Sequence, residues 1–171
     1  MNRERKFKVC LDRLEYFTYE ISGWNRALMA VQKGMPFQEA IKEEMFVEKK
    51  MRQNRAFHAL AIMIEHLLLL KMKYYTNDRK YGNWGDTVRT SRIDAAYVTE
   101  WYKKERDTAL TEYLSGALQD IYEVGVKRYQ KVSGHYPDRA DRSQSIPEHC
   151  PWSLEELLDS TVDELLGHLP D

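Results

Sequence analysis

Four groupings of side chains in this 171-residue chain have the types and spacing to do chemistry. His149 and Cys150 adjoin in SIPEHCPWSLEELLDS, from Ser145 to Ser160. An imidazole beside a thiol could begin a metal site or a nucleophile pair. A structural zinc site draws on a fuller ligand set, usually in CxxC or HxxxH spacing, so His58, His66 or Cys10 would have to come close. A nucleophilic Cys150 needs a base, and neighbours in an extended segment point to opposite sides. Arg52 and His58 form a second grouping. Some helical ribonucleases use this spacing for a phosphate binder and a general acid. The competing reading puts His58 at the border of core and water, as a satisfied buffer between them, and a general base also needs a pKa near the working pH. Third, Glu39, Glu43, Glu44, Glu48 and His66 suggest a di-iron bundle. Such bundles need ExxH motifs, and here Glu65 and His66 are adjacent, so a solvated acidic face with lysine partners competes.

The fourth grouping is the segment 71–92. Lys73, Arg79, Lys80, Arg89 and Arg92 are interleaved with Tyr74, Tyr75, Tyr81 and Trp84. Cations among exposed aromatics can hold single-stranded nucleic acid by phosphate contact and base stacking. Lys127, Arg128 and Lys131 could extend such a patch. Tyrosines at helical spacing are more often the half-buried margin of a core, and zinc-finger, RNP and KH signatures are absent. Trp84 then locks a loop onto the bundle. Spacing assigns no catalytic residue, no metal ligand and no cofactor.

The opening stretch reads fully as a helix start. Ser153 is an N-cap and Glu156, three residues on, completes a capping box. Trp152 before the cap and Leu157 after it form a hydrophobic staple. Pro151 stiffens the approach, and Glu155 and Glu156 suit the positive end of the helix dipole. Thr161 and Glu164 repeat the box, with Gly167 as a stop. Trp24, Trp84, Trp152, Ser153 and Glu156 are therefore read as structural residues.

The elements that carry these residues are helical. Leu14, Phe17, Ile21, Trp24, Leu28 and Val31 recur at threes and fours, predicting a helix over Arg5–Val31. Gly34 stops it and Pro36 opens the next. That helix extends toward Tyr75, with a break expected between Glu48 and Asn54 because so long a run is unusual. Its second half, Phe57–Leu70, is oily nearly all round, which marks a central position. YTNDRKYGNWGD reads as a loop from Tyr75 to Asp86. Helices are predicted over Asp86–Lys104 and Arg106–Lys131. A polar connector over 133–152 leads to a docked helix over 153–167. The expectation is an all-α fold: one domain over 1–171, an antiparallel bundle of about four to six helices with a long C-terminal connector and a short docked helix.

IPEHCPWSLEELLD, taken whole, resembles the C-terminal signature of the bacterial, cyanobacteria-rich family of unknown function numbered twenty-nine. NWGDTVRTSR is similar to a second family pattern, through Trp84, Thr87, Val88 and Arg92. HLLLLKMKYY resembles a third, with Met72 where the family often has tryptophan and His66 two residues before the usual histidine. Upstream, WNRALMAVQKGMPF looks like a drifted tryptophan helix and glycine turn, and Glu43 and Glu44 match paired glutamates. The resemblance spans Leu14–Asp159. It implies a single all-helical domain and carries over no catalytic residue.

Charged residues make up 31% of the chain and hydrophobic ones 43%, which describes a globular protein. The formal net charge of −1 names no polyanionic partner. The oily run Leu60–Leu70 is broken by Glu65 and His66 and is too short to span a bilayer. Cysteine usage and the polar opening MNRERKFKVC point to the cytoplasm. The expected role is a non-enzymatic adaptor that binds a protein partner or a second copy of itself. Nucleic-acid binding through 71–92, or a nuclease using Arg52 and His58, are the alternatives.

Overall fold

The computed structural model describes residues 25–71, 78–103, 107–134 and 145–170. Trp24 and the earlier part of the first predicted helix lie outside them. Helix α1 is described over residues 25–32 and closes at Gly34, whose φ is +95°. The Met35 N–H donates to the Ala30 carbonyl and the Gly34 N–H to Val31, both at about 3.0 Å, which is the Schellman pattern. Pro36 then leads into α2.

Helix α2 runs unbroken from Phe37 to Lys71, 35 residues. The break expected between Glu48 and Asn54 is absent. The segment contains neither glycine nor proline, and strong helix formers fill it, so nothing local stops propagation. The chain divides into two compact units, Met1–Met51 and Arg52–Asp171.

In the second unit α2 is the central element. Ala56, Leu60, Met63, Ile64, Leu67 and Leu68 are fully buried. They join Val88, Ala95 and Ala96 of α3 (Asp78–Val98), Leu114 of α4 (Thr108–Gly116), Ile121 and Tyr122 of α5 (Leu118–Gly134), Leu157 of α6 (Leu154–Asp159) and Leu165 of α7 (Val162–Gly167) in one cluster. No strand occurs among the described residues, and the fold is an all-α bundle.

Four predicted boundaries are corrected. The loop read over Tyr75–Asp86 is mostly helix, since α3 already starts at Asp78. Its glycines and asparagine are weak helix formers, but Trp84 and Val88 pack on the core and tertiary burial outweighs local propensity. Helix α3 ends at Val98, short of Lys104. The helix predicted over Arg106–Lys131 is two, α4 and α5, parted at Ala117, whose φ and ψ of −93° and 6° leave the helical region. The single docked helix over 153–167 is also two, α6 and α7, because Ser160 is extended and Thr161 caps anew.

The end of α3 has a second Schellman turn. The Trp101 N–H donates to Ala96 O at 2.9 Å and the Glu100 N–H to Tyr97 O at 3.1 Å. Here the left-handed position, with φ of 54°, is held by Glu100 rather than glycine. A side chain there costs about 1 kcal/mol. Glu100→Gly is expected to raise stability by roughly 0.5 kcal/mol, allowing for the looser unfolded chain and loss of the exposed Glu100–Lys103 pair. Chemical denaturation with an unchanged slope checks it, and a loss of stability would refute the strain.

Candidate functional site

The C-terminal segment lies across the bundle as a strap, and its anchors are side chains reaching main-chain groups. The Tyr122 hydroxyl donates to Pro147 O at 2.7 Å. Gln119 grips the same segment twice, donating to Glu148 O at 3.3 Å and accepting from the Cys150 N–H at 3.0 Å. The Trp152 indole N–H reaches Leu165 O at 2.9 Å, tying the start of α6 to α7. Its ring meets Tyr122 edge-on, with centroids 6.3 Å apart. Burial pushes the Tyr122 phenol up to about 12, so it stays a neutral donor.

Helix α3 holds the other side of the strap. Arg92 Nε donates to Leu157 O at 3.0 Å, where the last turn of α6 leaves carbonyls without helical partners. Burial lowers the Arg92 pKa, opposed by the negative charges of Asp159 and Glu164. Its buried Nη2 has no hydrogen-bond partner among the described residues. Trp101 Nε1 donates to Asp159 Oδ1 at 2.8 Å. Both strap helices start with a complete capping box. The Ser153 N–H donates to Glu156 Oε2 at 2.7 Å and the Ser153 hydroxyl accepts from the Glu156 N–H at 3.2 Å, and Thr161 and Glu164 repeat this. Those backbone N–H bonds hold both glutamates below the usual carboxylate range.

The other candidate residues separate. Cys150 is partly buried and its thiol donates to Trp152 O at 3.4 Å, while His149 is exposed. Burial pushes that thiol up, away from a reactive thiolate. Arg52 is committed twice: it donates to Val98 O at 2.7 Å and pairs with Asp107 at 3.0 Å, which also caps α4 through the Leu110 N–H. It thereby clamps the α3–α4 corner, and exposed His58 shares no partner with it, its ring lying edge-on to Phe57. No group of three or more metal-ligating side chains converges among the described residues.

Of the proposed nucleic-acid set, Lys73 lies outside the described residues, and Arg79 and Lys80 stand in the first turn of α3. Trp84 is partly buried against the core, Arg89 is exposed beside Asp86 at 3.2 Å, and Arg92 is spent on the strap. Arg128, a candidate extension of that patch, instead pairs with buried Glu65 at 2.6 Å. Sequence reasoning missed this pair and Arg55 with Asp94, because their partners lie far along the chain.

It also missed a concentration of exposed large apolar side chains between residues 28 and 51. In the first unit Phe37, Met45 and Phe46 are 60%, 64% and 67% exposed, and Leu28, Met29, Val47 and Met51 are exposed with them. Only Ala27 and Ala40 are buried apolar residues in its described part. The signal was present in EEMFVEKKM, where apolar residues fall on several sides of one helix.

An all-helical bundle closed by a capped C-terminal strap defines the class structurally. The family described as Domain of unknown function DUF29 matches residues 38–162, and the chain belongs to that family. The match takes in α3 and the strap and leaves the upstream part of the resemblance, from Leu14, outside it. No curated protein and no solved structure matches the chain.

Proposed function

We propose that the protein is a non-enzymatic accessory protein of the cytoplasm that works by binding another protein. The exposed large apolar side chains concentrated between residues 28 and 51 support the reading, because exposed apolar side chains in such number on a folded protein mark interaction sites. The polar commitments in the second unit support it too. Arg52, Arg92, Arg128 and Cys150 all have structural partners, which leaves few groups for a reaction. Among the described residues no helix is long and apolar enough to cross a membrane.

Co-purification of the native protein from its own cells, with and without nuclease, tests the reading. A protein partner is expected to survive nuclease and to be lost from a Phe46→Ser variant that folds normally. Recovery of RNA or DNA, with every partner lost after nuclease, would replace this function with nucleic-acid binding through α3.

A further inference from the structure

In the described part of the second unit the exposed large apolar side chains are Ile93, Tyr97, Tyr102 and Tyr113. The first three are each at least half exposed and fall between residues 93 and 102. Asp86, Thr90, Ile93 and Tyr97 recur at intervals of four, three and four, so they share the outer stripe of α3. Val88 and Ala95 face the core from the opposite side. The turn after α3 then holds Trp101 inward, on Asp159, and leaves Tyr102 outward.

The charge beside this stripe is one-sided. Helices α6 and α7 both pack on α3, and they bring exposed Glu155, Asp159, Asp163 and Glu164 with no lysine or arginine. Asp159, Glu164 and Tyr102 all lie within electrostatic reach of the Arg92 guanidinium, so the acids stand beside the aromatic edge. The nearby bases are already matched: Arg89 with Asp86 at 3.2 Å, Lys103 with Glu100 at 2.9 Å, Arg55 with Asp94, and Arg92 with the Leu157 carbonyl at 3.0 Å. Arg79 and Lys80 stand in the first turn of α3, about 20 Å along the axis from Ile93. Lys104, Glu105 and Arg106 lie outside the described residues and add one net positive charge in sequence, against four acids from α6 and α7.

We propose that the outer face of α3, with the acidic edge of α6 and α7, docks a basic amphipathic segment of another protein. The inference rests on the protein-binding reading above and gives the partner's chemistry. Apolar side chains of the segment lie on Ile93 and Tyr97, and its lysines or arginines meet the four acids. The exposed tyrosine rings accept the same cations on their faces. The acids that favour this occupant repel a phosphate backbone.

Fluorescence anisotropy on the full chain tests the face. The probe is a labelled helical peptide of leucine and lysine, about four turns long, and its control is an oligolysine of equal charge. The leucine–lysine peptide is expected to bind, and the oligolysine about tenfold more weakly. Ile93→Ser combined with Tyr97→Ser is expected to weaken the peptide by about tenfold. Glu155→Gln combined with Asp163→Asn is expected to weaken it by about fivefold, and both pairs leave circular dichroism unchanged. No binding at about 100 μM overturns the inference. Equal binding of the oligolysine also overturns it, by leaving charge alone as the attraction. So does a loss on Phe46→Ser with indifference to both pairs, which would seat the peptide on residues 28–51. Each of these results leaves the protein-binding reading standing, and nuclease-treated co-purification decides that reading separately.

Discussion

Trp152→Ala is expected to cost about 3–5 kcal/mol, a large share of the roughly 5–15 kcal/mol that holds a domain of this size together. The ring is 3% exposed and lies in the same cluster as Leu154, Leu157, Leu158 and Leu165. Its removal leaves a cavity between the strap and α5. It also strips the edge-on contact from Tyr122 and the donor from Leu165 O. Trp152→Phe keeps most of the apolar area and loses the indole N–H, so about 1–2 kcal/mol is expected there. Guanidinium unfolding of the two variants separates the terms. A cost under about 1 kcal/mol for Trp152→Ala would mean that the strap is held by its leucines alone.

Gly125→Ala is expected to destabilise the protein by about 1–2 kcal/mol, although alanine is the better helix former by roughly 0.5–1 kcal/mol. A Cβ at this position of α5 would lie 2.6 Å from Ile64 Cγ2, 2.9 Å from Ile64 Cβ and 3.1 Å from the Ala61 carbonyl oxygen. The Ile64 atoms belong to a fully buried side chain and the oxygen to the backbone of α2, so neither can swing away. Helices α2 and α5 therefore touch nearly backbone to backbone here. Ile64→Ala removes the nearest obstruction and opens its own cavity. The double variant should be markedly more stable than the sum of the two losses, as expected for residues in direct contact. Strict additivity in thermal or denaturant unfolding would show that the helices separate freely and that the close approach stores no strain.

The features legible in the sequence are those completed within one or two turns of chain. Ser-x-x-Glu and Thr-x-x-Glu place both members of each cap in the same turn. Gly34 stops α1 because a single residue must adopt positive φ there. The oily run of α2 names its own burial, since a helix apolar on all sides has no solvent face to spare. The all-α class follows from such local signals, and so does the membership that the IPEHCPWSLEELLD and NWGDTVRTSR patterns suggested. What escaped depends on distant partners. The start of α3 was hidden because glycine and asparagine argue against helix locally, and only packing of Trp84 and Val88 overrules them. The Ala117 break is likewise not announced locally, whereas the passage through Glu48–Asn54 is: that run holds neither glycine nor proline, and only the length of the helix argued for a break. Arg92 gives no local sign of which helix end it bonds, because its carbonyl partner is 65 residues away. Gly125 gave no signal, since nothing in its own neighbourhood shows that Ile64 will stand against it.

The strap has an electrical consequence distinct from its packing. Between residues 145 and 170 it carries Glu148, Glu155, Glu156, Asp159, Asp163 and Glu164 and no lysine or arginine. The rest of the chain is left with five more basic than acidic side chains, although the whole protein is nearly neutral at −1. Fields in cellular salt fade over about 8–10 Å, so an approaching molecule senses the region it nears and not the total. A cationic protein surface is drawn toward the strap, and a polyanion is turned away from it. The segment that closes the core thus also filters encounters by charge, acting on association rates.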